Sequence, residues 1–447
     1  MAGDMVQGGL AKSLIRFSIP LVLGGVLQQM YAWADAFIVG NLVGEGALAA
    51  IGATTALSNL FVMAITGLAL GVSLLAAQLY GRGAGTEMGK LLATFTLTLG
   101  GAFLGIAGVG SLTAGKLLML IHTPGDIAGQ AEEYLRIVLL GLPFVAVYQV
   151  YAAVLRGMGE SKAPLYGVLA AALINVGLDL ILVGPCKMGV RGAAVATLAA
   201  QGMMAAFLWF YAGRYKGLRL PRWKRGEWVD GALLNTGICL GVPIAVQSSI
   251  TSLGSVVLQN FMNGFGSATV AAITTAYRVD TVIMLPVTNL SAGIATATAQ
   301  NLGARKLDRA RRALLVGGAM MLAVTAALAV LVAAVGGNLI AMFGVTEEAT
   351  AIGRTFFRSI SMFYPVYGLA MSLRGYLEGM GDVLFSSAVG VSALVLRIVL
   401  SYTLAETMGN QIIPYAEVAS WCAMLVLLAL RFVWKECRRG AEQAKKE

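Results

Sequence analysis

Apolar runs of about twenty residues follow one another along almost the whole chain, and about twelve of them can be drawn. A helix of about twenty residues is long enough to cross the hydrocarbon core of a bilayer. The sequence therefore predicts an all-α integral membrane protein with about twelve transmembrane helices. The lipid bilayer is its first expected partner.

The composition supports this class and excludes others. Charged residues make up 12% of the chain and the mean hydropathy is +0.79, whereas soluble domains carry about 25% charge. The net charge of +10 would suggest a nucleic-acid partner in a soluble protein, but here the basic residues lie in alternate loops. One histidine and four scattered cysteines exclude a His/Cys metal centre of ordinary spacing. We expect no nucleic acid, no metal cofactor and no disulfide framework.

The distribution of lysine and arginine predicts the orientation. The loops after the second, fourth, sixth and eighth spans are basic, as is the C-terminal tail. The opposite loops are poorer in basic residues, with Lys187 and Arg191 as exceptions. Cytoplasmic loops carry the excess of Lys and Arg. Both termini are therefore predicted to be cytoplasmic. The plasma membrane is the expected location.

The two halves of the sequence repeat each other at a shift of 222 positions (266 − 44). The matched features are Asn41-x-x-Gly44 with Asn263-x-x-Gly266, Pro143 with Pro365, and Gly157-Met158-Gly159-Glu160 with Gly379-Met380-Gly381-Asp382. Each half holds six spans, so both halves have the same orientation and form a parallel repeat. The predicted divisions are a lobe at 1–213, a basic connector at 214–231 and a second lobe at 232–447.

Two acids interrupt the apolar spans of the first half. Asn175 and Asp179 are four residues apart and share one face of a helix. Helix rise places Asp35, Asp179, Thr197 and Asn175 roughly 8 to 14 Å from the outer end of their spans. An intramembrane carboxylate is costly and therefore points to function. In the second half the repeat replaces Asp35 by Val257 and Asp179 by Ser401, so this oxygen-rich set belongs to the first half alone.

These residues resemble those of the multidrug and toxic compound extrusion (MATE) transporters. The resemblance rests on the segment from Pro20 through Gln28, Tyr31 and Asp35 to Asn41-Leu42-Val43-Gly44, on Asn175 and Asp179, and on Gly192 to Thr197. It implies that Asp35, Asn175, Asp179 and Thr197 form the proton or Na⁺ site. It also implies that the first helix can bend near Pro20. Since Gln28 and Tyr31 share the face of Asp35, they are predicted to line the substrate cavity.

The second half carries its own charges within the spans: Arg278, Asp280, Arg397 and Glu417. Arg278 and Asp280 are two residues apart and cannot face each other on a helix. Because intramembrane charges are usually paired, these four residues are predicted to form a structural network with other spans.

The function favoured by these features is secondary export of organic compounds, cationic or amphipathic, against H⁺ or Na⁺. No phosphate-binding loop of the Gly-Lys-Ser/Thr type is present, which argues against ATP-driven transport. One alternative is a lipid-linked oligosaccharide flippase of the same superfamily, which a large cationic central cavity and additional spans would favour. A second alternative is a membrane-embedded enzyme, but no credible acid/base or metal set lies outside the four-residue cluster. We expect a monomer that uses no cofactor other than its coupling ion.

Overall fold

The computed structural model describes residues 5–216, 218 and 229–444. The predicted connector falls largely outside this part of the chain. So do the basic residues Arg219, Arg222, Lys224, Arg225, Lys445 and Lys446.

The described residues form sixteen α-helices and one short 3-10 helix, Gly409–Gln411. The helices are α1 (Leu10–Leu42), α2 (Glu45–Gly81), α3 (Gly85–Leu120), α4 (Gly125–Leu139), α5 (Leu142–Gly157), α6 (Lys162–Leu182), α7 (Gly189–Tyr215), α8 (Gly231–Asn263), α9 (Ser267–Ile283), α10 (Leu285–Gly303), α11 (Leu307–Ala341), α12 (Glu347–Ser361), α13 (Tyr364–Gly379), α14 (Val383–Thr403), α15 (Ala405–Met408) and α16 (Ile412–Ala444). No strand occurs in these ranges, and the all-α prediction is confirmed.

Nine helices in the described part are long and apolar enough to cross a membrane, and two bent pairs raise the number to eleven. The bent pairs are α4 with α5 and α9 with α10. The twelfth predicted span corresponds to α12 and α13. Its first half carries Glu347, Glu348, Arg354 and Arg358, which lowers its hydropathy below that of the others.

Helix boundaries confirm the internal repeat. Glu45 begins α2 and Ser267 begins α9, 222 positions later (267 − 45). The same shift relates α4 to α12 and α5 to α13 at both ends. The copies differ where α2 is continuous and its counterpart breaks at Met284 between α9 and α10, and where α15 and the 3-10 helix have no counterpart between α6 and α7.

The helices group into two compact units. The first contains Ile19–Ala245 and the second contains Met5–Ser18 together with the chain from Val246 onward. Two helices, α1 and α8, therefore pass from one unit to the other. Each crossing lies within two residues of a proline inside the helix, Pro20 in α1 and Pro243 in α8. The hinge role of Pro20 stays a prediction, because α1 is one continuous helix through this residue.

Within the first unit, small residues let α2 and α8 approach closely. An added Cβ at Gly71 would fall on the backbone nitrogen and Cα of Gly241, and would lie 2.8 Å from the carbonyl carbon of Leu240. A Cβ at Gly67 would likewise fall on the backbone of Ala245. Such contacts through small residues are a common way for membrane helices to associate.

Within the second unit, the residues before α1 are bound by the turn between α10 and α11. Met5 is 2% exposed, and its backbone nitrogen donates to Gln300 Oε1 at 3.0 Å. Asn301 Nδ2 and Arg309 Nε both donate to the carbonyl of Met5, at 3.2 and 3.1 Å. Arg309 Nη2 also donates to the carbonyl of Gly8 at 2.7 Å. These bonds fix the segment Met5–Gly8 to the second unit.

An ion-pair cluster joins the start of α14 to α16. Asp382 accepts hydrogen bonds from Arg431 Nε at 2.8 Å, and its Oδ2 lies 2.9 Å from Lys435 Nζ. Burial acts to raise the pKa of the Asp382 carboxyl. The hydrogen bonds and charges of Arg431 and Lys435 outweigh that effect and hold the pKa below its usual value of 3.8.

Replacing Asp382 with Asn is expected to lower the stability of the detergent-purified protein at neutral pH. A depressed folded-state pKa contributes stability that is complete above the unfolded value and disappears as the pH falls through the folded value. Because Arg431 and Lys435 are partly exposed, the loss should be about 1 kcal/mol. Thermal unfolding followed from pH 7 down to pH 3 should show the two proteins converging at the acidic end. Asp308→Asn is the control, since that side chain is 90% exposed; an equal loss there would refute the assignment.

Candidate functional site

The first unit brings together the acidic residues singled out in the sequence. Asn175 and Asp179 lie one turn apart on α6 and are completely buried. Asp35, on α1, is half-buried. Its carboxyl group faces that of Asp179 closely enough for the two to share a hydrogen bond once one of them carries a proton.

Five buried polar atoms of these residues have no hydrogen-bond partner in the described part of the protein. They are Asp35 Oδ1, Asn175 Oδ1 and Nδ2, and Asp179 Oδ1 and Oδ2. Buried polar groups in folded proteins are normally hydrogen-bonded, so a cluster of unpaired atoms requires an explanation. Neither carboxyl forms an ion pair with any Lys or Arg that the structure describes. The four oxygens in this set can accept a hydrogen bond or bind a cation, and Asn175 Nδ2 can donate a hydrogen bond.

Two tyrosines complete this cluster. Tyr31 lies one turn before Asp35 on α1 and interacts electrostatically with both Asp35 and Asp179. Tyr134, on α4, is 7% exposed and interacts with the same two acids. Thr197 on α7 lies near the Tyr134 hydroxyl and so borders the cluster. The sequence predicted Tyr31 and Thr197 but not Tyr134, because nothing local in the sequence indicates that α4 packs beside the acids.

The remaining predicted cavity residue lies apart. Gln28 is exposed, one turn before Tyr31 on α1, and is not among the residues that interact with the two acids. Its predicted contact with substrate stays a prediction.

The arrangement can bind one positive charge. Two carboxyl groups side by side away from water repel each other when both are ionised, so the pair favours taking up a proton or a cation. The atoms that could coordinate a cation are all oxygens, from the two carboxyl groups, the Asn175 amide and neighbouring hydroxyl groups. Hard cations prefer such ligands. No group of three His, Cys, Asp or Glu residues suited to a metal occurs in the described ranges.

The second unit has no counterpart to this cluster at the equivalent positions. Ser401 is buried where the repeat aligns it with Asp179, and Val257 is exposed where it aligns with Asp35. Two of the intramembrane charges of this unit are instead paired. Arg397 Nη2 lies 3.0 Å from Glu417 Oε2, and the Tyr277 hydroxyl contacts both.

Asp280 belongs to the same network, but Arg278 does not. Asp280 Oδ1 accepts a hydrogen bond from the Tyr364 hydroxyl at 2.7 Å and interacts electrostatically with Arg397 and Glu417. Arg278 is exposed on another side of α9 and forms no ion pair within the described residues. The predicted four-residue network is therefore corrected to three residues. A spacing of two on a helix turns the side chains of Arg278 and Asp280 to opposite sides.

A model of the MatE family matches residues 20–181 and 243–403, one match in each half. Among similar proteins, the Probable multidrug resistance protein YpnP of Bacillus subtilis (strain 168) is 27% identical over 387 residues, 86% of this chain and 85% of the relative. The Multidrug export protein MepA of Staphylococcus haemolyticus (strain JCSC1435) is 22% identical and covers 95% of both chains.

Solved structures share the fold. A MATE crystal structure in the bent conformation gives a TM-score of 0.89 at 20% identity, covering 99% of this chain and 98% of that one. The outward-facing conformation of a multidrug resistance MATE family transporter of the MOP superfamily gives 0.87 at 20% identity, with 98% coverage of both.

Proposed function

This chain belongs to the MatE family and is therefore a transporter rather than an enzyme; we propose that it exports organic compounds in exchange for inward-moving H⁺ or Na⁺. The observation that carries this proposal is the set of four unpartnered buried oxygen atoms on Asp35, Asn175 and Asp179. A structural role would be expected to satisfy these atoms internally, whereas an ion-binding role requires them to be available.

The proposed exchange follows from the charge of the cluster. With both carboxyls ionised, the first unit attracts a cationic compound. When a proton or Na⁺ binds between Asp35 and Asp179, that attraction weakens and the compound is released. Each ligand must then weaken the binding of the other by the same factor.

The substrates proposed are cationic or amphipathic organic molecules. Support comes from the negative charge that the first unit would offer, and from relatives named as multidrug resistance and multidrug export proteins. The flippase alternative called for additional spans. The described helices account for the equivalent of twelve, counting the three two-helix spans once each, so the number of spans does not favour it.

We further propose that the protein lies in the plasma membrane with both termini in the cytoplasm. In a variant lacking the native cysteines, a Cys introduced at the exposed Glu347 should react with an impermeant reagent added to intact cells. A Cys at the exposed Asp308 should react only after the cells are opened. The opposite pattern would reverse the orientation.

The coupling is tested with purified protein in lipid vesicles that contain a cationic dye. A pH gradient and a Na⁺ gradient are imposed separately. Each has the higher H⁺ or Na⁺ concentration outside, so that the ion enters as the dye leaves. At least one gradient should accelerate dye movement well above the rate without a gradient. If the dye moved at the same rate under both gradients and under neither, ion-coupled exchange would be excluded.

A further inference from the structure

A second polar site lies in the second unit, at the start of α9. It is a pocket of about 510 Å³ whose lining includes Asn263, Ser267, Thr274, Thr275 and Arg278. Ser267, Thr274 and Arg278 follow one another at spacings of seven and four residues, so they lie along one face of the helix. The pocket is thus lined by a stripe of hydroxyl groups that leads to a guanidinium.

The hydroxyls in this pocket are not used within the protein. Thr274 Oγ1 is buried and has no hydrogen-bond partner among the described residues. Thr275 is only 8% exposed, and its hydroxyl makes no hydrogen bond in that part of the chain either. By contrast, Thr281 on the same helix donates to the carbonyl of Tyr277 at 2.8 Å. Any helical threonine can donate to the carbonyl four residues earlier. Because Thr274 and Thr275 do not do so, their hydroxyl groups are available to donate to a ligand.

The charges around the pocket favour an anion. Arg278 is the charged residue of the lining, no acid lines the pocket, and the guanidinium forms no ion pair within the described residues. The pocket also includes Gly266, the N-cap of α9, which provides no side-chain acceptor for the first N–H groups of the helix. Those N–H groups add positive potential at the other end of the pocket lining, roughly 17 Å along the helix from Arg278.

We infer that this pocket binds the oxyanion group, a carboxylate or a phosphate, of an amphipathic molecule. A guanidinium binds either group through paired hydrogen bonds, and the two threonine hydroxyls supply further donors. Val270 and Ala271 lie in the same pocket and contact the apolar part of the ligand. The oxyanion can come from a soluble organic acid or from the headgroup of an anionic lipid. This site is separate from the acidic cluster and takes a ligand of opposite charge.

The test is equilibrium binding of dansylglycine, a fluorescent carboxylate, to the full-length protein in phosphatidylcholine nanodiscs without any ion gradient. Fluorescence enhancement should saturate with the wild type. Arg278→Gln should weaken the affinity roughly tenfold or more, because a charge-assisted hydrogen bond is lost. Arg278→Lys should retain part of the affinity, and Thr275→Val should lose a few-fold. Arg358→Gln removes another exposed arginine of the second unit and should bind like the wild type.

Two further measurements complete the design. The methyl ester of dansylglycine should not bind, because it lacks the negative charge. Adding phosphatidylglycerol, an anionic lipid, to the nanodiscs distinguishes the two sources of the oxyanion. If the lipid weakens dansylglycine binding to the wild type, the natural ligand is a lipid headgroup. If dansylglycine binding is unchanged, the natural ligand is a soluble acid. Equal affinity of Arg278→Gln and wild type, or equal binding of acid and ester, would overturn the inference. Because no gradient is used, this outcome is independent of the test for ion-coupled export.

Discussion

Replacing Asp179 with Asn is expected to abolish ion-driven export while leaving the protein folded. The substitution preserves shape but removes the charge that a proton or Na⁺ would neutralise. Asp179 is fully buried without a hydrogen-bond partner among the described residues. An unpaired buried carboxylate is costly, so the variant should be at least as stable as the wild type. Loss of transport combined with unchanged or higher stability separates a coupling role from misfolding.

The measurement is dye movement in vesicles under the imposed gradients, with thermal unfolding of the same preparations. Binding of ethidium, a cationic dye, should depend on pH or Na⁺ in the wild type and on neither in Asp179→Asn. Asp35→Asn should behave similarly. Ser401→Ala is the matched control, because Ser401 is the buried residue at the equivalent position of the repeat. If the gradients drove the dye as fast in Asp179→Asn as in the wild type, the acidic cluster would not be the coupling site.

Replacing Gly71 with Ala is expected to destabilise the protein by about 3 kcal/mol or more, at the upper end of overpacking effects. One added methyl group would fall on the backbone of Gly241. A backbone cannot move aside as the end of a flexible side chain can, so the α2–α8 contact would have to open. Thermal unfolding in detergent and the folded yield after purification would measure the loss.

Gly101 on α3 supplies the control. A Cβ at Gly101 meets nothing within 4 Å, and alanine has a higher helix propensity than glycine by about 1 kcal/mol. Gly101→Ala should therefore be neutral or stabilising. Equal unfolding temperatures for Gly71→Ala and wild type would show that the close approach of α2 and α8 is not required for stability.

The sequence predicted the acidic cluster because its signal is local and chemical. Asp179 stands out in an apolar run, and its spacing from Asn175 fixes a common helix face whatever the packing. Tyr134 has no such signal, since an aromatic residue near the end of a span is ordinary. Its place beside Asp35 depends on how α4 packs against its neighbours. The separation of Arg278 from Asp280 likewise needed the orientation of α9, which spacing alone does not give.

The repeat was equally accessible from sequence, because glycine, asparagine and proline positions recur at one shift. The periodicity of the sequence does not predict which residues bind the polar segment before α1. Met5 is held by Gln300, Asn301 and Arg309, about three hundred residues away along the chain. No local pattern encodes a contact of that separation.

That contact has a consequence for biogenesis. The ribosome makes Met5–Ser18 before α2 to α16, yet these residues group with the chain from Val246 onward and bind α10 and α11. The first unit also has to wait for the beginning of α8, up to Ala245, before its own set of helices is complete. Neither unit can therefore be completed on its own during translation, and the segment Met5–Gly8 must remain available until α10 and α11 have been inserted.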